Sequence, residues 1–313
     1  MADLSVLVTC RQMQSCIDEF RGRFERHGVS LVLPPVVQQL SESELSAMIG
    51  DFDAIIAGDD PITANVLERA TRLKIVSKWG IGTDGIDLAA ARRLGIAVVN
   101  TPAVFGDEVA DVAMGYVILL ARQLHRIDSG VRAGEWPKPE GLTLRGKRLG
   151  VFGFGSIGRA VAVRGRGFGM EILATDVAGI AAADAIELGV RPVDHPALFA
   201  EADFLVLCSP LTPENHHVVG DENLARMRPG SFVINVARGL LVDETALHRA
   251  LYEGRLAGAA LDVFEVEPLP AASPLRAIES CILGSHNGSN TREGVLRASA
   301  LAVANTLAGL GLE

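Results

Sequence analysis

The sequence predicts an α/β protein built from two doubly wound domains, each a parallel β-sheet with helices on both faces. Short apolar segments alternate with amphipathic ones along most of the chain, a pattern typical of parallel strands joined by helices. The composition is 49% hydrophobic but only 5% aromatic, which favours such layers over an all-β or a disordered chain. A length of 313 residues suits two domains.

The first third of the chain predicts the smaller domain. Strands are expected at 4–8, 29–33, 54–57, 73–77 and 96–99, and helices at 15–26, 42–49, 64–70 and 88–94. Because this part has no glycine-rich nucleotide motif, we assign residues 1–102 to a separate, smaller domain. Residues 290–313 are assigned to the same domain, since their helix at 292–310 is expected to pack back onto it.

The stretch from Lys147 to Asp176 predicts a dinucleotide site. An apolar strand leads into Gly153-x-Gly155-x-x-Gly158, a helix follows, and a second strand ends at Asp176. The three glycines allow, in turn, a tight turn, close approach of a pyrophosphate, and close packing of helix on strand. The N–H groups of the helix start face the phosphates. Asp176 would accept the ribose hydroxyls and repel the 2′-phosphate of NADP, so we predict NAD as the cofactor.

This site lies in a Rossmann domain that we place at residues 103–289. An apolar helix is expected at 107–123, before the nucleotide motif. Strands are expected at 149–152, 171–175, 204–208, 231–236, 258–262 and 281–284, and helices at 156–168, near 197 and 222, and at 244–253. Gly165 and Gly167 are expected to weaken the nucleotide helix, each by about 1 kcal/mol relative to Ala.

Charge and cysteine content exclude several classes of partner. The formal net charge of −9 gives no overall attraction for nucleic acid or an anionic membrane. No uncharged apolar stretch of about 18 residues predicts a membrane span. The four cysteines lack the spacing of a disulfide framework, and no secretory leader is visible, so we expect a cytoplasmic protein.

Several polar residues follow predicted strands, and ligands of open α/β sheets bind beyond the carboxyl ends of the strands. Arg238, Glu267 and His286 follow three strands of the second domain, and Lys78 follows one of the first. A lone histidine is more often a core residue than a catalytic one. An arginine and an acid at neighbouring strand ends favour a catalytic role for His286.

Four strings resemble the NAD-dependent D-2-hydroxyacid dehydrogenase family, especially its D-3-phosphoglycerate dehydrogenase branch. They are VFGFGSIGRAVA, INVARGLLVDETAL, AGAALDVFEVEP and SHNGSNT, preceded by SKWGIGTDGIDLAAARRLGIAVVNTP. The resemblance extends from Leu73 to Thr291. It implies that the smaller domain is a flavodoxin-like substrate domain. It also implies an enzyme that interconverts a D-2-hydroxy acid and a 2-keto acid, with Arg238, Glu267 and His286 as catalytic residues. We expect no additional regulatory domain of the kind found in part of that branch.

The chemistry of this reaction suggests a role for each of the three residues. His286 would transfer the proton, because an imidazole titrates near neutral pH. Glu267 would hydrogen-bond the other ring nitrogen, fix the tautomer and favour the protonated ring. Arg238 would hold the substrate carboxylate through two parallel N–H bonds.

The same resemblance implies further contacts with substrate and cofactor. The N–H groups of Gly80, Ile81 and Gly82 suit the other side of the carboxylate, and Lys78 suits a second anionic group. The additional cofactor contacts predicted are Ser156, Ile157, Ser209, Val236, Ala237, Arg238, Asp262, His286 and Gly288. The family also implies a homodimer formed through the nucleotide domain. Hydride transfer requires a dry site, so we expect a cleft between the domains that closes on NAD and substrate.

Some of these residues have other interpretations. Lys78 could equally lie in a solvated loop, and Asp262 could cap the exit of its strand. Glu265, the other acid of the DVFEVEP string, is expected to be solvated. The adjacent His216 and His217 are expected to be a loop pair, since no Cys or acid cluster accompanies them, and no metal site is predicted.

The identity of the substrate stays open. One candidate pair is 3-phosphoglycerate and 3-phosphohydroxypyruvate, because Lys78 could hold a phosphate. Others are reduction of glyoxylate or hydroxypyruvate, and a phosphite or formate dehydrogenase of the same fold. Asn287 and Asn290 stand where the family more often has apolar or small residues, which could alter the polarity of the pocket. A function of another class is NAD sensing by a binding protein similar to the C-terminal-binding-protein corepressors.

Overall fold

The computed structural model describes residues 4–313, which divide into two compact units. The smaller unit comprises the chain up to Val104 together with Asn290–Glu313, and the larger unit comprises Phe105–Ser289. Residues 1–3, which we assigned to the substrate domain, lie outside the described residues. Each unit contains a wholly parallel sheet, so the predicted fold class of two α/β domains is confirmed.

The smaller unit has a five-stranded sheet in the order β2-β1-β3-β4-β5, which is the flavodoxin-like order. Its strands are β1 (Leu4–Val8), β2 (Val29–Val32), β3 (Ala54–Ala57), β4 (Ile75–Lys78) and β5 (Ala97–Val99). The helices between them are α1 (Arg11–Ser15), α2 (Asp18–Glu25), α3 (Glu42–Met48), α4 (Ala64–Arg69) and α5 (Leu88–Leu94).

Two elements of this unit differ from the prediction. The expected helix at 15–26 is α2, which begins later, and the short helix α1 before it was not predicted. The N–H of Cys16 turns back to the carbonyl of Met13 at the end of α1. Strand β4 begins and ends later than expected, and its last residue is Lys78. Lys78 therefore belongs to the buried strand itself and not to the loop that follows it.

The larger unit has a seven-stranded sheet in the order β12-β11-β10-β9-β6-β7-β8. Its strands are β6 (Arg148–Phe152), β7 (Glu171–Thr175), β8 (Val190–Pro192), β9 (Phe204–Leu207), β10 (Phe232–Asn235), β11 (Gly258–Leu261) and β12 (Cys281–Leu283). Its helices are α6 (Gly106–Arg122), α7 (Leu124–Arg132), α8 (Ser156–Gly167), α9 (Ala182–Leu188), α10 (His195–Glu201), α11 (Asp221–Arg226) and α12 (Glu244–Tyr252). The six strands β8-β7-β6-β9-β10-β11 have the order of a dinucleotide-binding sheet. The strand order reverses between β6 and β9, which is the switch point where such sheets bind their ligand.

Three elements of the larger unit were not predicted, namely α7, α9 and β8. In the described part of the chain, no residue of α7 or α9 is buried. Leu124, Ile127 and Val131 of α7 do recur at helical spacing, so this helix had a sequence signal that we missed, whereas α9 is short and consists mostly of alanine and acidic residues. β8 has only three residues at the edge of the sheet, which is too short for a clear alternation.

The apolar helix that we predicted at 107–123 is α6, which packs in the larger unit against α8, β10 and β11. Its buried face includes Ala113, Val117 and Leu120. None of the helices within residues 4–313 combines the length and the apolar character needed to cross a membrane.

Gly165 sets the distance between the nucleotide helix α8 and the sheet. A Cβ atom at this position would lie 2.5 Å from Leu149 Cδ2 and 2.9 Å from Ile172 Cδ1. The expected penalty relative to Ala therefore does not apply at Gly165, because alanine would overlap two buried side chains. Gly167 has open space at the position of a Cβ, so the helix-propensity argument still holds there.

The C-terminal helix α13 (Arg292–Gly309) packs on β3 and β4 of the smaller unit, which confirms the prediction for the tail. Ser77 Oγ donates to the carbonyl oxygen of Ala302 at 3.0 Å, and Trp79 Nε1 donates to Ser299 Oγ at 3.0 Å. These two bonds fix the end of β4 and the residue just before the Gly80 loop.

Candidate active site

The glycine turn after β6 has the geometry that a pyrophosphate site requires. Gly153 has φ +93°, and a Cβ there would lie 2.7 Å from Ser209 Cα, so the turn packs directly against the residue that follows β9 at the switch point. A Cβ on Gly158 would overlap the carbonyl oxygen of Gly153. By contrast, nothing lies within 4 Å of a Cβ built on Gly155. The backbone in front of α8 is thus open at the point where phosphates would approach it.

Asp176 lies at the end of β7, where the ribose was predicted. Its Oδ2 accepts the N–H of Phe154 at 2.7 Å, and its Oδ1 accepts the N–H of Ala178 at 2.9 Å. The half-buried carboxylate therefore also braces the glycine turn, which the sequence did not indicate. Each oxygen retains a lone pair for a ribose hydroxyl, so these residues fit NAD.

The remaining predicted cofactor contacts lie at the carboxyl ends of the same strands. Ser156 and Ile157 begin α8, and Val236 and Ala237 follow β10. The N–H of Ala237 donates to Asn235 Oδ1 at 3.1 Å. The hydroxyl of Ser209 donates to the carbonyl oxygen of Pro210 at 2.9 Å and accepts from Asn215 Nδ2 at 3.1 Å.

The three predicted catalytic residues follow β10, β11 and β12, which are neighbours in the sheet. His286 Nδ1 lies 2.7 Å from Glu267 Oε2, and Glu267 Oε1 accepts the N–H of Phe264 at 2.9 Å. Their side chains are 24% and 19% exposed, so the pair is partly shielded from water. One carboxylate oxygen of Glu267 therefore contacts the ring of His286, and the other is held by the backbone.

Gly239 brings the Arg238 loop into contact with the loop that carries Glu267. A Cβ on Gly239 would lie 2.5 Å from the N atom of Glu265 and closer still to the carbonyl group of Phe264. The glycine after Arg238 is therefore required by the close approach of two backbones. Asn235 supports the same loop, because its Nδ2 donates to the carbonyl oxygen of Arg238 at 2.8 Å.

Asp262 braces the loop that carries His286. The residue is only 3% exposed, and its carboxylate accepts the N–H of Asn287 at 3.2 Å and the N–H of Gly288 at 2.8 Å. Its own carbonyl oxygen accepts the N–H of His286 at 2.6 Å. The cap at the strand exit, one of the two interpretations of Asp262, is thus present. The N–H of Gly288 is thus bonded to Asp262, and the cofactor contact of this residue stays a prediction.

Glu265 is not solvated as expected. Its Oε1 accepts the N–H of Glu244 at 3.1 Å, and its own N–H donates to Glu244 Oε1 at 2.8 Å. His217 Nε2 lies 3.1 Å from the same Oε1, as an ion-pair contact rather than an aligned hydrogen bond. Burial raises the pKa of Glu244, and the negative charges of Glu265 and Glu267 raise it further.

The two adjacent histidines form a loop pair in the described structure. The rings of His216 and His217 stack with their centroids 4.0 Å apart. Across residues 4–313, no group of three His, Cys, Asp or Glu side chains is arranged to hold a metal ion.

In the glycine loop after β4, the N–H of Gly80 donates to Thr101 Oγ1 at 2.8 Å. The binding of the substrate carboxylate by this loop stays a prediction. Among the described residues, no acceptor bonds the N–H of Ile81 or Gly82. Thr101 was not recognised in the sequence, since the pairing depends on β5 lying beside β4.

Lys78 is neither a solvated loop residue nor an unpaired cation. Its side chain is only 7% exposed, and its Nζ lies 3.1 Å from Asp59 Oδ1 and 3.0 Å from the carbonyl oxygen of Trp79. Asp59 follows β3, the strand next to β4. The charge of the lysine is thus compensated within the smaller unit by a residue that the sequence did not single out.

Residues 114–288 match the model of a protein family described as D-isomer specific 2-hydroxyacid dehydrogenase, NAD binding domain. The chain belongs to this family. It is 40% identical over 276 residues to a glyoxylate reductase of Korarchaeum cryptofilum, which covers 86% of this chain and 82% of that protein. It is 39% identical to a D-3-phosphoglycerate dehydrogenase of Methanocaldococcus jannaschii, over 82% of this chain but only 50% of that protein.

A solved structure supports the same assignment. The D-lactate dehydrogenase of Aquifex aeolicus, complexed with NAD and lactic acid, superimposes with a TM-score of 0.85 at 26% identity, covering 98% of this chain and 95% of that one. As a D-2-hydroxyacid dehydrogenase, the present chain is an NAD-dependent oxidoreductase that acts on 2-hydroxy and 2-keto acids.

Proposed function

We propose that this dehydrogenase reduces a short, unphosphorylated 2-keto acid, glyoxylate or hydroxypyruvate, with NADH. The observation that supports a proton-transfer site is the bond of 2.7 Å between His286 Nδ1 and Glu267 Oε2. A histidine held in this way by a partly buried carboxylate is suited to general acid catalysis, because the acid fixes the tautomer and favours the protonated ring.

In the proposed reaction, each residue acts at a defined atom. Arg238 holds the substrate carboxylate with its planar guanidinium, and the N–H groups of Ile81 and Gly82 offer a second set of donors. His286 gives the proton on Nε2 to the keto oxygen. The proton on Nδ1 stays on the ring and remains hydrogen-bonded to Glu267. NADH supplies the hydride that reduces the keto carbon, and the product is the D-2-hydroxy acid.

The ion pair of Lys78 with Asp59 supports a substrate without a phosphate group. A lysine that recognises phosphate acts as a point charge, but the Nζ of Lys78 already has a carboxylate and a carbonyl as partners. A phosphate would have to displace Asp59 from a nearly buried cation, which costs the energy of that ion pair. The similarity to a glyoxylate reductase over 82% of its length agrees with a small substrate.

The substrate proposal is tested by initial rates of NADH oxidation with glyoxylate, hydroxypyruvate and 3-phosphohydroxypyruvate. We expect kcat/KM for at least one of the first two to exceed that for the phosphorylated acid by tenfold or more. A tenfold preference for 3-phosphohydroxypyruvate would contradict the proposal. NADPH serves as a parallel cofactor control, since Asp176 is expected to disfavour its 2′-phosphate.

The proposed proton transfer is tested by His286→Ala and Glu267→Gln, each expected to lower kcat by 100-fold or more. Glu265→Gln is the matched control, because this acid lies two residues away in the same loop and its Oε1 contacts His217. The kcat of Glu265→Gln should fall by less than fivefold. Unchanged turnover in His286→Ala would favour the alternative of an NAD-sensing binding protein.

We also propose that the protein forms a homodimer through the larger unit. Leu124 and Val131 of α7 are exposed, and Trp136 just beyond it is 77% exposed, which is unusual for a surface that stays in water. Light scattering behind a gel-filtration column should give twice the monomer mass. Val131→Glu together with Trp136→Glu should give a monomer, and an unchanged dimer would show that this face is not the interface.

A cytoplasmic setting belongs to the same proposal. The four cysteines are free thiols in the described structure, and burial raises the pKa of Cys10, Cys208 and Cys281 to about 12. Unpaired thiols suit a reducing compartment. Cell fractionation with an antibody against the chain checks this expectation.

A further inference from the structure

Tyr116 lies on α6, a helix that contributes none of the predicted site residues. Its phenol oxygen is 3.2 Å from Asp262 Oδ1. The chain has two tyrosines. The other one, Tyr252, is 78% exposed, whereas Tyr116 is half-buried against the strand ends of the larger unit.

The partner of Tyr116 is the residue on which the His286 loop depends. Three successive N–H groups of that loop, those of His286, Asn287 and Gly288, donate to the carbonyl oxygen or the carboxylate of Asp262. A carboxylate that is 3% exposed needs donors in place of water. The phenol supplies one of these donors from outside the loop.

The loop needs such support because His286 has φ +53°. The left-handed region costs a residue with a side chain about 1–2 kcal/mol, and it persists only where the surroundings hold it. The bonds to Asp262 hold it here. A change in the position of Asp262 would therefore be transmitted to the backbone of His286 and to its ring.

The packing around the phenol is tight enough to transmit such a change. A Cβ on Gly284 would overlap both Tyr116 Oη and Asp262 Oδ1, and a Cβ on Gly288 would lie 3.0 Å from Asp262 Oδ2. Burial raises the pKa of Tyr116, and the negative charge of Asp262 and its bond to the phenol raise it further. The phenol thus stays protonated, and remains a donor, throughout the neutral range.

We propose that Tyr116 is a positioning residue, which through Asp262 holds the His286 loop in the conformation that proton transfer requires. This inference rests on the proposed function of His286 as the proton donor. The energy of one buried hydrogen bond to a charged group corresponds to about tenfold or somewhat more in rate. Tyr116 should therefore affect kcat without contacting substrate.

The test is Tyr116→Phe, which removes only the hydroxyl, with Tyr252→Phe as the matched control. We expect kcat to fall about tenfold, with KM for the keto acid and the Kd of NADH within twofold of the wild type. The solvent deuterium isotope effect on kcat should rise, because misaligned proton transfer becomes slower. A structural role alone would not change this isotope effect. The control should behave as the wild type does.

Two further measurements test whether Tyr116 acts through the His286 loop. Amide hydrogen exchange of the peptide that covers residues 284–289 should be at least tenfold faster in Tyr116→Phe, in protein with an unchanged unfolding midpoint. In the His286→Ala background, Tyr116→Phe should have no additional effect on residual turnover. Unchanged exchange together with kcat within twofold of the wild type overturns the inference. Full turnover in His286→Ala would instead overturn the proposed function on which it rests.

Discussion

The contact between the Arg238 loop and the Glu267 loop yields a quantitative prediction for Gly239→Ala. The new Cβ would lie 2.5 Å from the N atom of Glu265 and closer still to the carbonyl group of Phe264, whereas real Cβ atoms essentially never approach within 3.0 Å. Both obstacles are backbone, so rotation of a side chain cannot relieve the overlap. The two loops must move apart by about 1 Å, and a misplacement of that size costs about 100-fold in rate.

We therefore expect kcat/KM for the 2-keto acid to fall about 100-fold in Gly239→Ala. Overpacking should also lower the free energy of unfolding by about 1–3 kcal/mol, so rates are measured well below the unfolding midpoint. Gly22→Ala is the control, since a Cβ at Gly22 on α2 meets nothing within 4 Å. A folded Gly239→Ala protein with kcat/KM within threefold of the wild type would refute the argument that this contact sets the position of Arg238.

Three further predictions concern packing, pH and substrate choice. In urea titrations, Gly165→Ala should lower the free energy of unfolding by about 1–3 kcal/mol, and Gly167→Ala should raise it by up to about 1 kcal/mol; equal effects would show that the side chains facing Gly165 can move aside. Burial lowers the pKa of His195 in the folded protein, and Arg226 lowers it further. The unfolded chain therefore takes up a proton at His195 first as the pH falls, and the folded protein loses stability below the pKa of the unfolded chain. His195→Phe also removes a buried Nε2 atom that lacks a partner in the described part of the chain. The free energy of unfolding should therefore rise by about 1 kcal/mol at pH 8 and by more at pH 5.5. An increase that is smaller at pH 5.5 than at pH 8 would contradict this. Asp59→Asn removes the charged partner of Lys78, so it should raise kcat/KM for 3-phosphohydroxypyruvate about tenfold, with glyoxylate turnover within twofold of the wild type. An unchanged kcat/KM would show that Lys78 does not decide between the two substrates.

Local patterns in the sequence were sufficient for most of the strands and for the dinucleotide turn. Glycine spacing, the apolar runs on either side and the acid at Asp176 are all short-range features, and each reports a local backbone requirement. The exposed helices α7 and α9 were not predicted, and neither has a buried residue in the described structure. The spacing of Leu124, Ile127 and Val131 was a helical signal that we did not use, whereas the short α9 has no comparable stripe.

The partners of individual side chains were the harder part. Lys78 was expected at a strand end, but its pairing with Asp59 depends on β3 lying beside β4. Glu265 was expected in water, but the start of α12 gives it the N–H of Glu244. Tyr116 lies 146 residues before Asp262, and no local pattern links two positions so far apart.

The sequence by itself determined that this chain has two parallel-sheet domains, binds NAD and belongs with the 2-hydroxyacid dehydrogenases, because those properties depend on short motifs at fixed spacings. Only the tertiary structure decided which hydrogen bonds those motifs make. It assigned the N–H of Gly80 to Thr101, gave Gly165 a packing role in place of a cost, and gathered three N–H groups of the His286 loop on Asp262. These outcomes depend on which strands become neighbours, and strand order is a property of the folded chain.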